Sequence, residues 1–195
     1  MRAATEVQAT APQPQVDLPR RRFTVAEYHR MAEAGILMED DPVELIAGEI
    51  LEMSPTGQRH IRAVNRLNQT LVLQLGTSAF VSVQNPLRLA DNSEPEPDIV
   101  VLRGTDGGTA NVADVLLVIE VAETSRDYDR NVKFPMYAAA GIPESWLFDL
   151  AGVAIERHSE PSADGYRLIA RAGRGESLTS TVLPGVTFSV DAILG

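Results

Sequence analysis

The chain contains no cysteine. A disulfide framework and a thiolate metal site are both excluded by that absence. Lysine is nearly absent too: of 17 lysine and arginine residues, only Lys133 is a lysine. Positive charge is in deficit, with 27 acidic residues and a formal net charge of −10. Such a balance argues against diffuse attraction to nucleic acid, which draws on a basic surface. It leaves room for clustered acids that bind cations and for local basic patches such as Arg20-Arg21-Arg22, which also reads as a solvated tail end. Aromatic residues make up 5% of the chain, too few to favour a sugar cleft and a carboxylate-based glycosidase. The three histidines, His29, His60 and His158, are too scattered for a His-rich zinc site. No apolar run reaches membrane-spanning length, and the first residues carry no apolar signal-peptide core. The expected location is the cytoplasm, with no membrane partner.

What is present is an ordinary globular composition, 44% hydrophobic and 23% charged over 195 residues. That length supports one domain with a sizeable core. Residues 1–19, rich in Ala, Gln, Pro and Thr without apolar periodicity, predict a disordered extension, leaving 20–195 as a single domain. Thr24-Val25-Ala26-Glu27 is a capping box that opens a helix ending at Gly35. A hairpin turning at Ala47-Gly48 is predicted over 44–53. Ile61, Val64, Leu67, Leu71, Val72 and Leu75 recur at helical spacing up to Gly76. Strands are predicted over 79–90 (bent at Pro86), 97–102 and 115–121, the last two flanking a glycine-rich loop around 104–109. Residues 126–140 read as helical, with a break or kink at Pro135. A strand over 144–149, antiparallel strands with turns at Ala151-Gly152 and Asp164-Gly165, and a short strand near Val186–Phe188 complete the pattern. The order predicts a mixed sheet with helices packed on it, an α/β or α+β architecture.

Two acids stand out. Asp98 lies beside the apolar run Ile99-Val100-Val101, and Glu120 closes Val115-Leu116-Leu117-Val118-Ile119. A charge inside a buried strand costs several kcal/mol unless it is paired or binds a cation. Divalent metals can activate water and neutralise charge on a phosphate, and Mg²⁺ typically uses one or two carboxylates plus waters. Asp98 and Glu120 fit that role by residue type, and the backbone carbonyl of Val121 could join them. Lys133, thirteen positions after Glu120, could orient water or stabilise developing charge. Each piece has a bland counterpart: Pro-Asp pairs occur in turns, a strand-end glutamate can pair with arginine, and a sole lysine can be chance. The combination carries the weight.

The segments Leu45-Ile46-Ala47-Gly48-Glu49-Ile50, Met53-Ser54-Pro55, His60, Glu96-Pro97-Asp98, Val118-Ile119-Glu120-Val121, Asp129-Arg130 to Lys133, and Tyr137-Ala138-Ala139-Ala140-Gly141-Ile142-Pro143-Glu144-Ser145-Trp146 together resemble the Uma2 family. These are restriction-endonuclease-like proteins of the PD-(D/E)XK nuclease superfamily. The resemblance runs from about Phe23 to the C-terminus. It implies a restriction-endonuclease-like core and a metal-dependent nuclease that uses Mg²⁺ (or Mn²⁺) and acts on DNA as a homodimer. Pro97-Asp98 matches the PD element and Glu120-Val121-Ala122 the (D/E)XK element, with Ala122 where the motif has lysine. Lys133 matches the lysine carried on the following helix. Glu44 matches an acid contributed ahead of the core strands, and His60 would face the same cleft. Arg126, Tyr128 and Arg130 are candidate phosphate contacts, with a solvated loop as the favoured reading. Tyr137 and Trp146 are expected to fill the core or an interface. The competing reading is a catalytically inactive binding or regulatory protein on a nuclease fold.

Overall fold

Thr24 opens the first helix, α1 (Val25–Glu33), with the reciprocal capping box its sequence predicts: its side chain accepts from the Glu27 N–H while Glu27 bonds back to the Thr24 N–H. The computed structural model describes residues 19–38, 40–104 and 111–195. The expected disordered extension, Pro19 apart, and most of the glycine-rich loop lie outside the described residues. After α1 comes a hairpin, β1 (Val43–Ile46) with β2 (Glu49–Glu52). Ala47 and Gly48 both take positive φ, 49° and 82°, as a two-residue turn of this hand requires.

The main sheet has six strands in the order β3-β4-β5-β6-β7-β8. They are β3 (Ala79–Val83), β4 (Ile99–Arg103), β5 (Val115–Ala122), β6 (Glu144–Asp149), β7 (Ala154–Ser162) and β8 (Gly165–Ala172). All neighbours run antiparallel except β5 and β6. A parallel pair cannot be closed by a tight turn and needs a long crossover. Here the crossover is helical: α3 (Arg126–Tyr128), a π turn (Asp129–Lys133) and α4 (Phe134–Ala139) follow without a break. A second small pair, β9 (Ser177–Thr179) with β10 (Thr187–Ser189), leads into α5 (Val190–Leu194).

The long helix α2 (Gln58–Leu75) and α5 cover one face of the sheet, where Leu67, Leu71, Ile99, Leu117, Ile119, Trp146, Phe148 and Phe188 form the larger core. The crossover helices cover the other, where Phe134 and Tyr137 pack with Val100, Val118, Ala122 and Leu147. The pleat of β5 alternates between these faces. Leu117, Ile119 and Val121 join the first core, Val118 and Ala122 the second. Glu120 falls on the second face by the same alternation, under the crossover helices. Among the described residues no helix is long and apolar enough to cross a membrane.

Three expectations are corrected. The strand expected over 79–90 ends at Val83, because Gln84 turns the backbone into the left-handed region (φ 49°). Residues beyond it loop back instead, with the Leu87 N–H bonding the Pro95 carbonyl and the Leu89 N–H the Ser93 carbonyl. Ile61 and Val72, read as part of the α2 stripe, are 40% and 49% exposed; Ala63 takes a place in the core. Strand β9 and helix α5 were not expected.

The α2 faces carry a stability prediction. Leu67→Ala should cost about 2–5 kcal/mol, as truncation of a fully buried leucine does. Leu73→Ala, on the exposed side, should stay within about 0.5 kcal/mol. Urea denaturation of both variants checks the assignment.

Candidate active site

Pro135 shapes the helix that carries Lys133. It has no N–H to give the carbonyl four residues back, and its ring crowds that carbonyl. The chain responds just before it with a π turn, in which the Phe134 N–H bonds the Asp129 carbonyl five residues back. The π turn ends at Lys133, which is buried along with Asp129. The Lys133 ammonium lies 3.1 Å from Glu44 Oε2 and 3.4 Å from Glu120 Oε1. Lys133 thus brings an ammonium from the helix to the strand acid Glu120.

Asp98 stands at the entrance to β4. The Val121 N–H donates to its Oδ2 at 2.8 Å. His60, in the first turn of α2, places Nε2 2.9 Å from Asp98 Oδ1 and 3.0 Å from Oδ2. In an antiparallel pair a residue's N–H and C=O face the same neighbour. β4 has stopped at Ile99, so the Val121 carbonyl faces the side where Asp98 sits. Glu44 comes from β1. Its Oε1 accepts from the Tyr128 hydroxyl at 3.0 Å, and its Oε2 accepts from the Glu96 N–H at 3.2 Å as well as from Lys133. The Tyr137 hydroxyl donates to Glu120 Oε1 at 2.5 Å.

Three buried carboxylates, Glu44, Glu120 and Asp129, thus act on one ammonium, and a fourth, Asp98, sits against one imidazole. Burial raises the Glu120 carboxyl well above the usual range; Lys133 opposes this, while Asp129 and Asp98 add to it. Burial also raises Asp129 to about 6, against the pull of Lys133 and of the Ser125 hydroxyl that donates to it. Burial works against the charge on Lys133, but Glu120, Glu44 and Asp129 outweigh it and hold the ammonium protonated. Burial likewise lowers His60, yet its hydrogen bond to Asp98 and the charges of Asp98, Glu123 and Asp129 leave it above its ordinary value. Burial, followed by the charge of Glu44, raises Glu96.

This excess of negative charge is of the kind a divalent cation relieves. Among the described residues, no three His, Asp or Glu side chains gather as a ready metal cage. Both Glu44 oxygens are engaged, by Lys133, Tyr128 and the Glu96 backbone. Asp98 takes the Val121 N–H on Oδ2 and has His60 Nε2 near both oxygens, Asp129 Oδ2 takes the Ser125 hydroxyl, and Glu120 Oε2 takes no hydrogen bond among the described residues. Two carboxylates, a backbone carbonyl and waters suffice for Mg²⁺.

Asp98, Glu120, Lys133, Glu44 and His60 are therefore linked in one constellation, with Val121 beside it. Tyr137, Tyr128 and Asp129 also belong to it. Tyr137 was read as core filler and Tyr128 as a phosphate contact; Asp129 was not singled out. The four-residue spacing from Lys133 to Asp129 and to Tyr137 is the signal that could have found them. Arg126 and Arg130 are engaged elsewhere, Arg126 with Asp127 and Asp149, and Arg130 in a two-pronged bond to Glu156. Two surface hollows, about 430 Å³ by Arg171 and Arg174 and about 320 Å³ by Phe23 and Met31, are lined by none of the site residues.

A mixed sheet with acids at the adjoining ends of β4 and β5, and helices on both faces, defines a restriction-endonuclease-like fold. The chain belongs to the Uma2 family, described as "Putative restriction endonuclease", whose profile matches residues 25–191. A similar solved structure is the crystal structure of "a putative nuclease belonging to DUF820" from Anabaena variabilis ATCC 29413. It is 14% identical, with a TM-score of 0.68, covering 88% of this chain and 97% of that one. No curated protein matches the chain in sequence.

Asp129 gives a pH prediction. Its folded-state value of about 6 lies above the ordinary 3.8. The folded protein therefore holds a proton that the unfolded chain has released, and this contribution is full below about 3.8 and lost as pH rises through about 6. Asp129→Asn cannot ionise, so its stability relative to wild type should climb between those values. Thermal melts across that pH range check it.

Proposed function

We propose that the chain is a divalent-metal-dependent endonuclease acting on DNA, with Asp98 and Glu120 holding Mg²⁺ or Mn²⁺. The observation that carries this reading is the Lys133 ammonium 3.4 Å from Glu120 Oε1. The Val121 carbonyl faces the same side as Asp98 and would complete the protein's share of the ligands. A bound divalent cation supplies an activated water and neutralises charge on the scissile phosphate. Lys133 orients that water or stabilises the charge developing on the phosphate oxygens. Against burial, Glu120, Glu44 and Asp129 raise the Lys133 pKa, which suits the ammonium to the role of donor. Glu44 holds the ammonium in place, and His60 holds Asp98.

The net charge of −10 fits this reading in one respect. A cleft that carries its own cation can meet a phosphate without a broadly basic surface. The alternative, an inactive binding or regulatory protein, draws on the acidic surface and on the alanine at position 122; Lys133 beside Glu120 speaks against the second of these.

Supercoiled plasmid incubated with protein and Mg²⁺ or Mn²⁺ should be nicked or linearised, and chelation should stop it. Asp98→Asn, Glu120→Gln and Lys133→Met should each lower the rate at least about 10²-fold while circular dichroism stays native. Cleavage that survives all three substitutions would sink the assignment.

A further inference from the structure

Tyr137 is completely buried, yet its hydroxyl is not spent on the core. It donates to Glu120 Oε1 at 2.5 Å, the same oxygen that Lys133 approaches. Two donors on Oε1 fix the plane of the carboxylate, and Oε2 is left without a hydrogen bond among the described residues.

Tyr128 serves the other glutamate. It donates to Glu44 Oε1, while Lys133 and the Glu96 N–H occupy Oε2. Both Glu44 oxygens are therefore engaged, and what Glu44 orients is the ammonium. Among the described residues, Lys133 is the side chain that contacts the glutamates of both tyrosine–glutamate pairs.

We propose that the two pairs divide the work. Tyr137 is a positioning residue for Glu120 that presents Oε2 to the cation, whereas Tyr128 acts through Glu44 to position Lys133 alone. This rests on the nuclease reading above. Without the Tyr137 hydroxyl, Oε1 keeps the Lys133 contact at 3.4 Å as its one partner among the described residues, and Oε2 is held less firmly toward the cation. Without the Tyr128 hydroxyl, the metal-binding oxygens are untouched and only the ammonium loses its fixed partner.

The test is calorimetric titration of Mn²⁺ into the full chain, without DNA, for wild type, Tyr137→Phe and Tyr128→Phe. Loss of a group that orients a metal ligand typically costs 10–100-fold in affinity, and Tyr137→Phe should weaken Mn²⁺ by about that factor. Tyr128→Phe should bind Mn²⁺ like wild type, yet lower kcat for plasmid cleavage with KM unchanged. A merely structural role would not separate the two variants in this way. Equal Mn²⁺ affinity in wild type and Tyr137→Phe would overturn the proposal, as would equal weakening by both substitutions. Absence of Mn²⁺ binding by wild type would overturn the nuclease reading itself and this inference with it. Should Tyr137→Phe prove too unstable for calorimetry, the rise in Tm on adding Mn²⁺ gives the same comparison for a folded population at lower temperature.

Discussion

Lys133 is the one side-chain ammonium of the chain, and it is buried against Glu44 and Glu120 with Asp129 also acting on its charge. Removing one member of a buried ion pair typically costs 3–5 kcal/mol, because its partner is left charged without compensation. Here the ammonium faces two glutamates from separate parts of the chain. Glu44 comes from the hairpin ahead of the sheet, and Glu120 comes from the central strand β5. One side chain therefore ties the hairpin, the sheet and the helical crossover together. The same tie leaves the site short of positive charge, a shortage that a divalent cation can fill.

The fold supplies this constellation with few devices. Parallel pairing of β5 and β6 forces a crossover, and the crossover brings a helix over the face on which Glu120 lies. Pro135 prevents an unbroken α-helix, and the π turn before it ends at Lys133. Residues 129, 133 and 137 then bring Asp129, Lys133 and Tyr137 to the buried side of the crossover. On the opposite face α2 is held by apolar packing, and its first turn delivers His60 to Asp98. The apolar cores thus set the distances at which the charges meet.

Much of the site was legible in the sequence, for physical reasons. Asp98 and Glu120 were conspicuous because strands of β-branched residues rarely tolerate acids. Lys133 was conspicuous as the only lysine, and Pro135 announced an irregular helix without saying that it would be a π turn. Tyr137 was harder: its ring does fill the core, and an aromatic residue type does not reveal where a hydroxyl ends. Arg126 and Arg130 looked available for phosphate, but their acidic partners Asp149 and Glu156 lie about 25 residues away in sequence and meet them only in the fold. Strand 79–90 was overread because Leu87 and Leu89 continue the apolar alternation, while the left-handed turn at Gln84 leaves no mark in residue type. The pair β9–β10 and helix α5 depend on long-range bonds, such as the Val190 N–H to the Glu176 carbonyl and the Ser180 hydroxyl to Glu144.

The central claim is that Asp98 and Glu120 share one divalent cation beside a lysine delivered from the helix. Anomalous scattering from a crystal soaked in Mn²⁺ tests this most directly. The account predicts one strong peak roughly 2.0–2.6 Å from an oxygen of Asp98 and from Glu120 Oε2, with Lys133 still against Glu120. A map with no peak there, or with Mn²⁺ bound only at surface acids away from both residues, would contradict it.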